Sequence, residues 1–153
     1  MRQTGWYTSD GGHAITFKNL NSVDENDGVK VVIRNNYLFE NWNILISWSM
    51  IKKPPVTMHV DEGKGIHVQD STSRGSWKHG IVSIRDNVIV RTGNAGVTTN
   101  NAERVHIHNN LLVDNGWYQT IYSDLDPKIS SDSTPDYTGG FRVAGNTDII
   151  IKD

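Results

Sequence analysis

Apolar and polar residues alternate along four segments of this chain: VVIRNN at 31–36, VSIRDN at 82–87, VHIHNN at 105–110 and FRVAGN at 141–146. Each closes on an asparagine. Alternation predicts a strand with one buried face, and recurrence predicts a repeat architecture. With the central apolar residue as register mark (Ile33, Ile84, Ile107, Val143), the gaps are 51, 23 and 36. A gap of 51 reads as two units, so a weaker copy is expected midway. VTMHVD at 56–61 fits, with Met58 central and Asp61 in the asparagine's place.

A second strand is expected 13 or 14 residues after the first, at Ile46, Val97 and Ile121. GIHVQD at 65–70 takes that place after Met58, and HAITFKN at 13–19 reads as the second strand of a first, incomplete rung. Short apolar triplets lie between the two: Tyr37-Leu38-Phe39, Val88-Ile89-Val90 and Leu111-Leu112-Val113. Three short strands per 23–26 residues without a helical period predict an all-β coil of strands stacked in parallel. Stacking would put Ile33, Met58, Ile84, Ile107 and Val143 in one apolar column. Asn36, Asn87, Asn110 and Asn146 would form a ladder of amides bonded from rung to rung, a structural role.

The pattern V-x-I-x-N-N is followed five residues later by Asn41, Thr92 and Asn115, and then by a Gly-Ile-like strand. It resembles the right-handed parallel β-helix repeat family, the pectate-lyase-like proteins, over about residues 12–153. The expected fold is a right-handed parallel β-helix of five to six rungs in a single domain, 1–153. Regular rungs span 12–122, a loop insertion 123–140 and a last partial rung 141–153. The resemblance implies an extracellular, cell-surface or periplasmic setting and leaves activity open, since lyases, hydrolases, epimerases, tailspikes and adhesins share it. Five to six rungs are few for that family, and the chain stops within a repeat at DIIIKD. The expectation is a fragment of a longer chain, or ends covered by additional rungs or a second chain.

Bulk composition narrows the partners. A net charge of −2 with 21% charged residues shows neither a nucleic-acid tail nor a membrane-surface patch. No apolar run approaches the roughly 20 residues of a spanning helix, and MRQTGWYTSDGG does not read as a signal peptide. The absence of cysteine removes disulfides and thiolate chemistry. Fifteen asparagines and 14 glycines against 4 prolines suit a fold of many tight turns.

Alternation also places the candidate chemistry. Arg34, His59, Arg85 and His108 follow the inward residues and are expected to form one outward column, in which neutral histidines separate the arginines. Thr57, Ser83, His106 and Arg142 precede them. Arg34, Arg85 and Arg142 suit carboxylate recognition, and His59 or His108 suits a general base. The competing explanation is that an arginine stem covers apolar surface while its head stays wet. His67 and His79 read as surface residues. Asp10, in TSDGG, and Asp61-Glu62, in VDEGKG, resemble turns of glycosidase-like β-helix proteins and are the candidate catalytic carboxylates, although Asp before Gly is an ordinary turn pair.

Loops at 71–80 and 123–140 break the regular coil, and Trp77, Trp117 or Tyr122 are candidate sugar-stacking residues. Asp124, Asp126, Asp132 and Asp136 lack a fixed calcium-loop spacing, so no cofactor or metal is assigned, calcium being the one weak candidate. Two functions follow: a lyase or glycoside hydrolase acting on an extended acidic polysaccharide, or a non-catalytic carbohydrate-binding or structural segment.

Overall fold

A computed structural model describes residues 12–20, 24, 26–41, 63–73, 79–116, 140–144 and 147–152. Its strands are β1 (Ile15–Lys18), β2 (Val29–Arg34), β3 (Tyr37–Phe39), β4 (Ile66–Ser71), β5 (Ile81–Arg85), β6 (Val88–Val90), β7 (Val97–His108), β8 (Leu111–Val113), β9 (Phe141–Ala144) and β10 (Thr147–Lys152). Every pairing among them is parallel. Three faces result, wound as a coil. Sheet one stacks β1, β4, the first half of β7 and β9; sheet two stacks β2, β5, the second half of β7 and β10; sheet three stacks β3, β6 and β8. The expected all-β parallel β-helix is the observed architecture.

Alternation drives the packing. Ile33, Ile84 and Ile107 from sheet two, Ile66, Val68 and Val97 from sheet one, and Leu38 and Ile89 from sheet three fill one core. A single turn cannot enclose such residues, whereas stacked turns remove them from water at roughly 1.5–3 kcal/mol per large side chain.

The corners are built from polar residues. Between sheets two and three the link is always two residues. The first (Asn35, Asp86, Asn109) has φ of 53–56°, a left-handed conformation that Asn and Asp tolerate best among residues with a Cβ. The second is the ladder asparagine. Asn36 Nδ2 donates to Asn87 Oδ1 at 2.9 Å, and Asn87 Nδ2 donates to Asn110 Oδ1 at 2.9 Å. A second ladder holds the corner after sheet three. Thr92 Oγ1 donates to Asn115 Oδ1 at 2.8 Å, and the buried Asn41 donates to Lys64 O at 2.7 Å.

The register differs from the expected one in two places. Ile33 pairs directly with Ile84, and Ile15 directly with Ile66, so neither Met58 nor Ile46 stands between them. Between the described strands, the step of 51 residues is therefore one turn rather than two. At the other end, Val143 pairs with Thr99 in sheet one, and Ile107 pairs with Ile151. TDIIIK, not FRVAGN, therefore supplies the fourth strand of sheet two. Val97 lies between Ile66 and Phe141, which leaves no place there for Ile121. Met58, Ile46, Ile121, Asn146 and most of the 123–140 insertion lie outside the described residues. The described strands make four levels.

Candidate functional site

The outer side of sheet two carries one polar column and, beside it, a mixed one. Pairing sets Arg34 beside Arg85, Arg85 beside His108 and His108 beside Lys152. Val32, Ser83, His106 and Ile150 form the neighbouring column. Adjacent strands are about 4.8 Å apart, so four groups that are cationic or can become so follow one another along the coil axis.

This column corrects the expected one. His59 does not separate Arg34 from Arg85, because their strands are neighbours. Two unscreened cations about 5 Å apart in water repel by about 0.8 kcal/mol. The relief comes instead from Asp86, whose Oδ2 lies 2.5 Å from Arg85 Nη1. Asn109 Nδ2 holds the other Asp86 oxygen at 3.4 Å. Arg34 is exposed and has no acidic partner among the described residues, and neither does Lys152.

Sequence reasoning misses Lys152 because FRVAGN reads as the last copy of the motif. The signal was present in DIIIKD, where Lys152 stands one residue after an apolar residue in the Ile107 register, as His108 does. Arg142 belongs to β9 beside Thr98, on a different face from Arg34 and Arg85. His106 joins the strip as expected. Asp10, His59, Asp61, Glu62, Trp77, Trp117 and Tyr122 lie outside the described residues.

Two histidines expected at the surface are buried. His67 is 4% exposed. It alternates with the core residues Ile66 and Val68, so it points away from the core, and its Nε2 lies 3.1 Å from Gln69 Oε1. Its ring centroid is 4.7 Å from that of His13. Thr98, its neighbour in the next turn, is also fully buried. The middle of sheet one is thus withdrawn from water on both sides, which no local pattern signals.

His79 is buried at the corner between sheets one and two. Its backbone N donates to Ser73 Oγ at 2.7 Å, and that hydroxyl donates to Glu103 Oε2 at 2.5 Å. Arg104, at φ 55°, donates to His79 O at 2.8 Å. The Ser73 hydroxyl, its backbone N–H and the His79 charge outweigh burial and hold the Glu103 carboxyl below its ordinary range. A lowered acid contributes stability above its unfolded-state value and loses it as pH falls through the folded-state value. Stability is therefore expected to drop from the ordinary glutamate range downward. Glu103→Gln should flatten that part of the acid unfolding profile, and an unchanged profile would refute the assignment.

A family model described as right handed beta helix region matches residues 2–152 of the chain. The chain belongs to the right-handed β-helix family. Comparison with curated proteins and with solved structures gave no significant match. Right-handed β-helix domains occur in carbohydrate-active enzymes and in other proteins, so the function must be read from this β-helix's own surface.

Proposed function

We propose that this β-helix binds an extended acidic polysaccharide laid along the coil axis on the outer side of sheet two. The observation that carries the reading is the uninterrupted column of Arg34, Arg85, His108 and Lys152. Guanidinium groups pair carboxylates through two parallel hydrogen bonds, and regular strand spacing presents them to a polymer that also repeats. Arg85 arrives oriented by Asp86, while Arg34 and Lys152 are open to a ligand.

Cleavage is the finer proposal. His106 and His108 lie on β7 in adjoining columns, where an imidazole would accept or return a proton beside a carboxylate held by arginine. The candidate acids Asp10, Asp61 and Glu62 would serve hydrolysis if the fold brings them near.

Titration with a uronate polymer and a neutral glycan tests the reading. The uronate polymer should bind with a salt-dependent affinity, and Arg34→Ala should weaken it about tenfold at low salt, the effect of one charge-assisted hydrogen-bonded group. Equal affinity for both glycans, or unchanged binding by Arg34→Ala, would defeat it. Following unsaturated-end absorbance and reducing ends in the same samples separates lyase, hydrolase and binding protein.

A further inference from the structure

The sequence contains a single Asn-Gly pair, Asn115-Gly116, and the fold sets it in the second ladder, at the corner after sheet three. Asn-Gly is the pair most open to deamidation, because no side chain hinders the glycine nitrogen. Hydroxide takes the proton from the Gly116 amide, and its nitrogen attacks Asn115 Cγ. The C–N bond of the carboxamide breaks and ammonia leaves. Water then opens the succinimide to aspartate or isoaspartate. Hydroxide and water are the only co-reactants, and nothing is oxidised or reduced.

In the folded coil each reacting group is engaged. Gly116 is buried, and its N–H donates to Thr92 O and to Asn94 O, both at 3.0 Å. Asn115 Oδ1 accepts from Thr92 N at 3.1 Å and from Thr92 Oγ1 at 2.8 Å, while Nδ2 donates to Ile89 O at 3.0 Å. Hydroxide does not reach a buried amide held in this way, so loss of its proton awaits local opening, as hydrogen exchange does. Departure of ammonia also strips Ile89 O of its donor.

The product does not fit the place where it forms. A carboxylate at position 115 has no hydrogen to give Ile89 O and sets two acceptors against each other. In isoaspartate the main chain is longer by the side-chain methylene, which carries Gly116 N away from Thr92 O and Asn94 O. The corner then cannot close as before.

We propose that Asn115 is a deamidation site gated by the second ladder, sealed while the corner is closed and converted one way when it opens. Its counterparts in the ladder lack the chemistry: Thr92 has no carboxamide, and Asn41 precedes a tryptophan rather than a glycine. The proposal stands apart from the glycan reading.

Mass spectrometry of the full chain at mildly alkaline pH, folded or unfolded in guanidinium chloride, tests it. Conversion at Asn115 should be about tenfold slower or more in the folded chain. Adding guanidinium below the unfolding transition should raise conversion and Gly116 hydrogen exchange together. Thr92→Val removes the hydroxyl bonded to Asn115 Oδ1 and should speed conversion several-fold in the folded chain, with circular dichroism confirming the fold. Asn115→Asp installs one product and should lower the urea midpoint and the exchange protection of Gly116. Equal rates in the folded and unfolded chain would overturn the proposal. So would conversion that does not follow Gly116 exchange, a folded Thr92→Val chain at the native rate, or an Asn115→Asp chain as stable as the native one.

Discussion

Asn87→Leu is expected to destabilise the β-helix by about 3 kcal/mol or more, the largest effect of any ladder substitution. Asn87 is 1% exposed. Its Nδ2 donates to Ile33 O at 3.0 Å, to Arg85 O at 3.0 Å and to Asn110 Oδ1 at 2.9 Å, while its Oδ1 accepts from Asn36 N at 3.1 Å and from Asn36 Nδ2 at 2.9 Å. Leucine matches the volume but strands groups on three successive turns, each costing about 1–3 kcal/mol where water cannot reach it. Asn36 stands at the end of the described ladder, only partly buried, so Asn36→Leu should cost about 1 kcal/mol. Urea unfolding of the two variants checks the difference. Equal losses would mean that the ladder contributes through shape rather than through hydrogen bonds.

Gly65→Ala should cost about 2–3 kcal/mol for a single added methyl group. Gly65, Gly96 and Gly140 lie in one column at the entrance to sheet one, where Ile66, Val97 and Phe141 follow them. A Cβ at Gly65 would press into Gly96 O and stand 2.7 Å from Ile89 Cγ2. The first is backbone that donates nothing to relief, because Gly96 O already accepts from Ile66 N at 2.9 Å. At Gly140 the nearest atom is Leu112 Cδ1 at 3.2 Å, the movable end of a side chain, so Gly140→Ala should be mild. Ala14 occupies the same column in the first turn, where a Cβ is accommodated. A Gly65→Ala midpoint within error of the native one would show that the turns separate more readily than this packing implies.

Part of the fold was legible because its causes are local. Alternation within VVIRNN, VSIRDN and VHIHNN sets which side chains face inward, and the paired polar residues that follow are the ones best suited to a left-handed corner and a bonded amide. The link from sheet two to sheet three never varies in length, so its neighbours remain visible as a repeat. The ladder at Asn36, Asn87 and Asn110 is expected from sequence and observed, whereas the second one, at Thr92 and Asn115, emerges only from the structure.

The candidate site was half legible. Alternation places Arg34, Arg85, His106 and His108 on the outer side, but not Arg34 directly beside Arg85 nor Lys152 beside His108. His67 and His79 look like surface residues because they are polar and lie outside the repeated motif. Their burial comes from tertiary packing, which an isolated strand does not encode.

The sequence by itself determined the all-β coil, the inward isoleucines and the amide ladder, since each follows from residues two to five positions apart. Only the tertiary structure decided which strands are neighbours. A gap of 51 residues is compatible with one turn or with two, because spacing alone does not say which strands pair. Strand pairing resolves it: Ile33 on Ile84 places Arg34 directly on Arg85, and Ile107 on Ile151 brings Lys152 into the same row. The backbone hydrogen bonds that fix this register join residues far apart in the chain, and with them the order of charges on the surface.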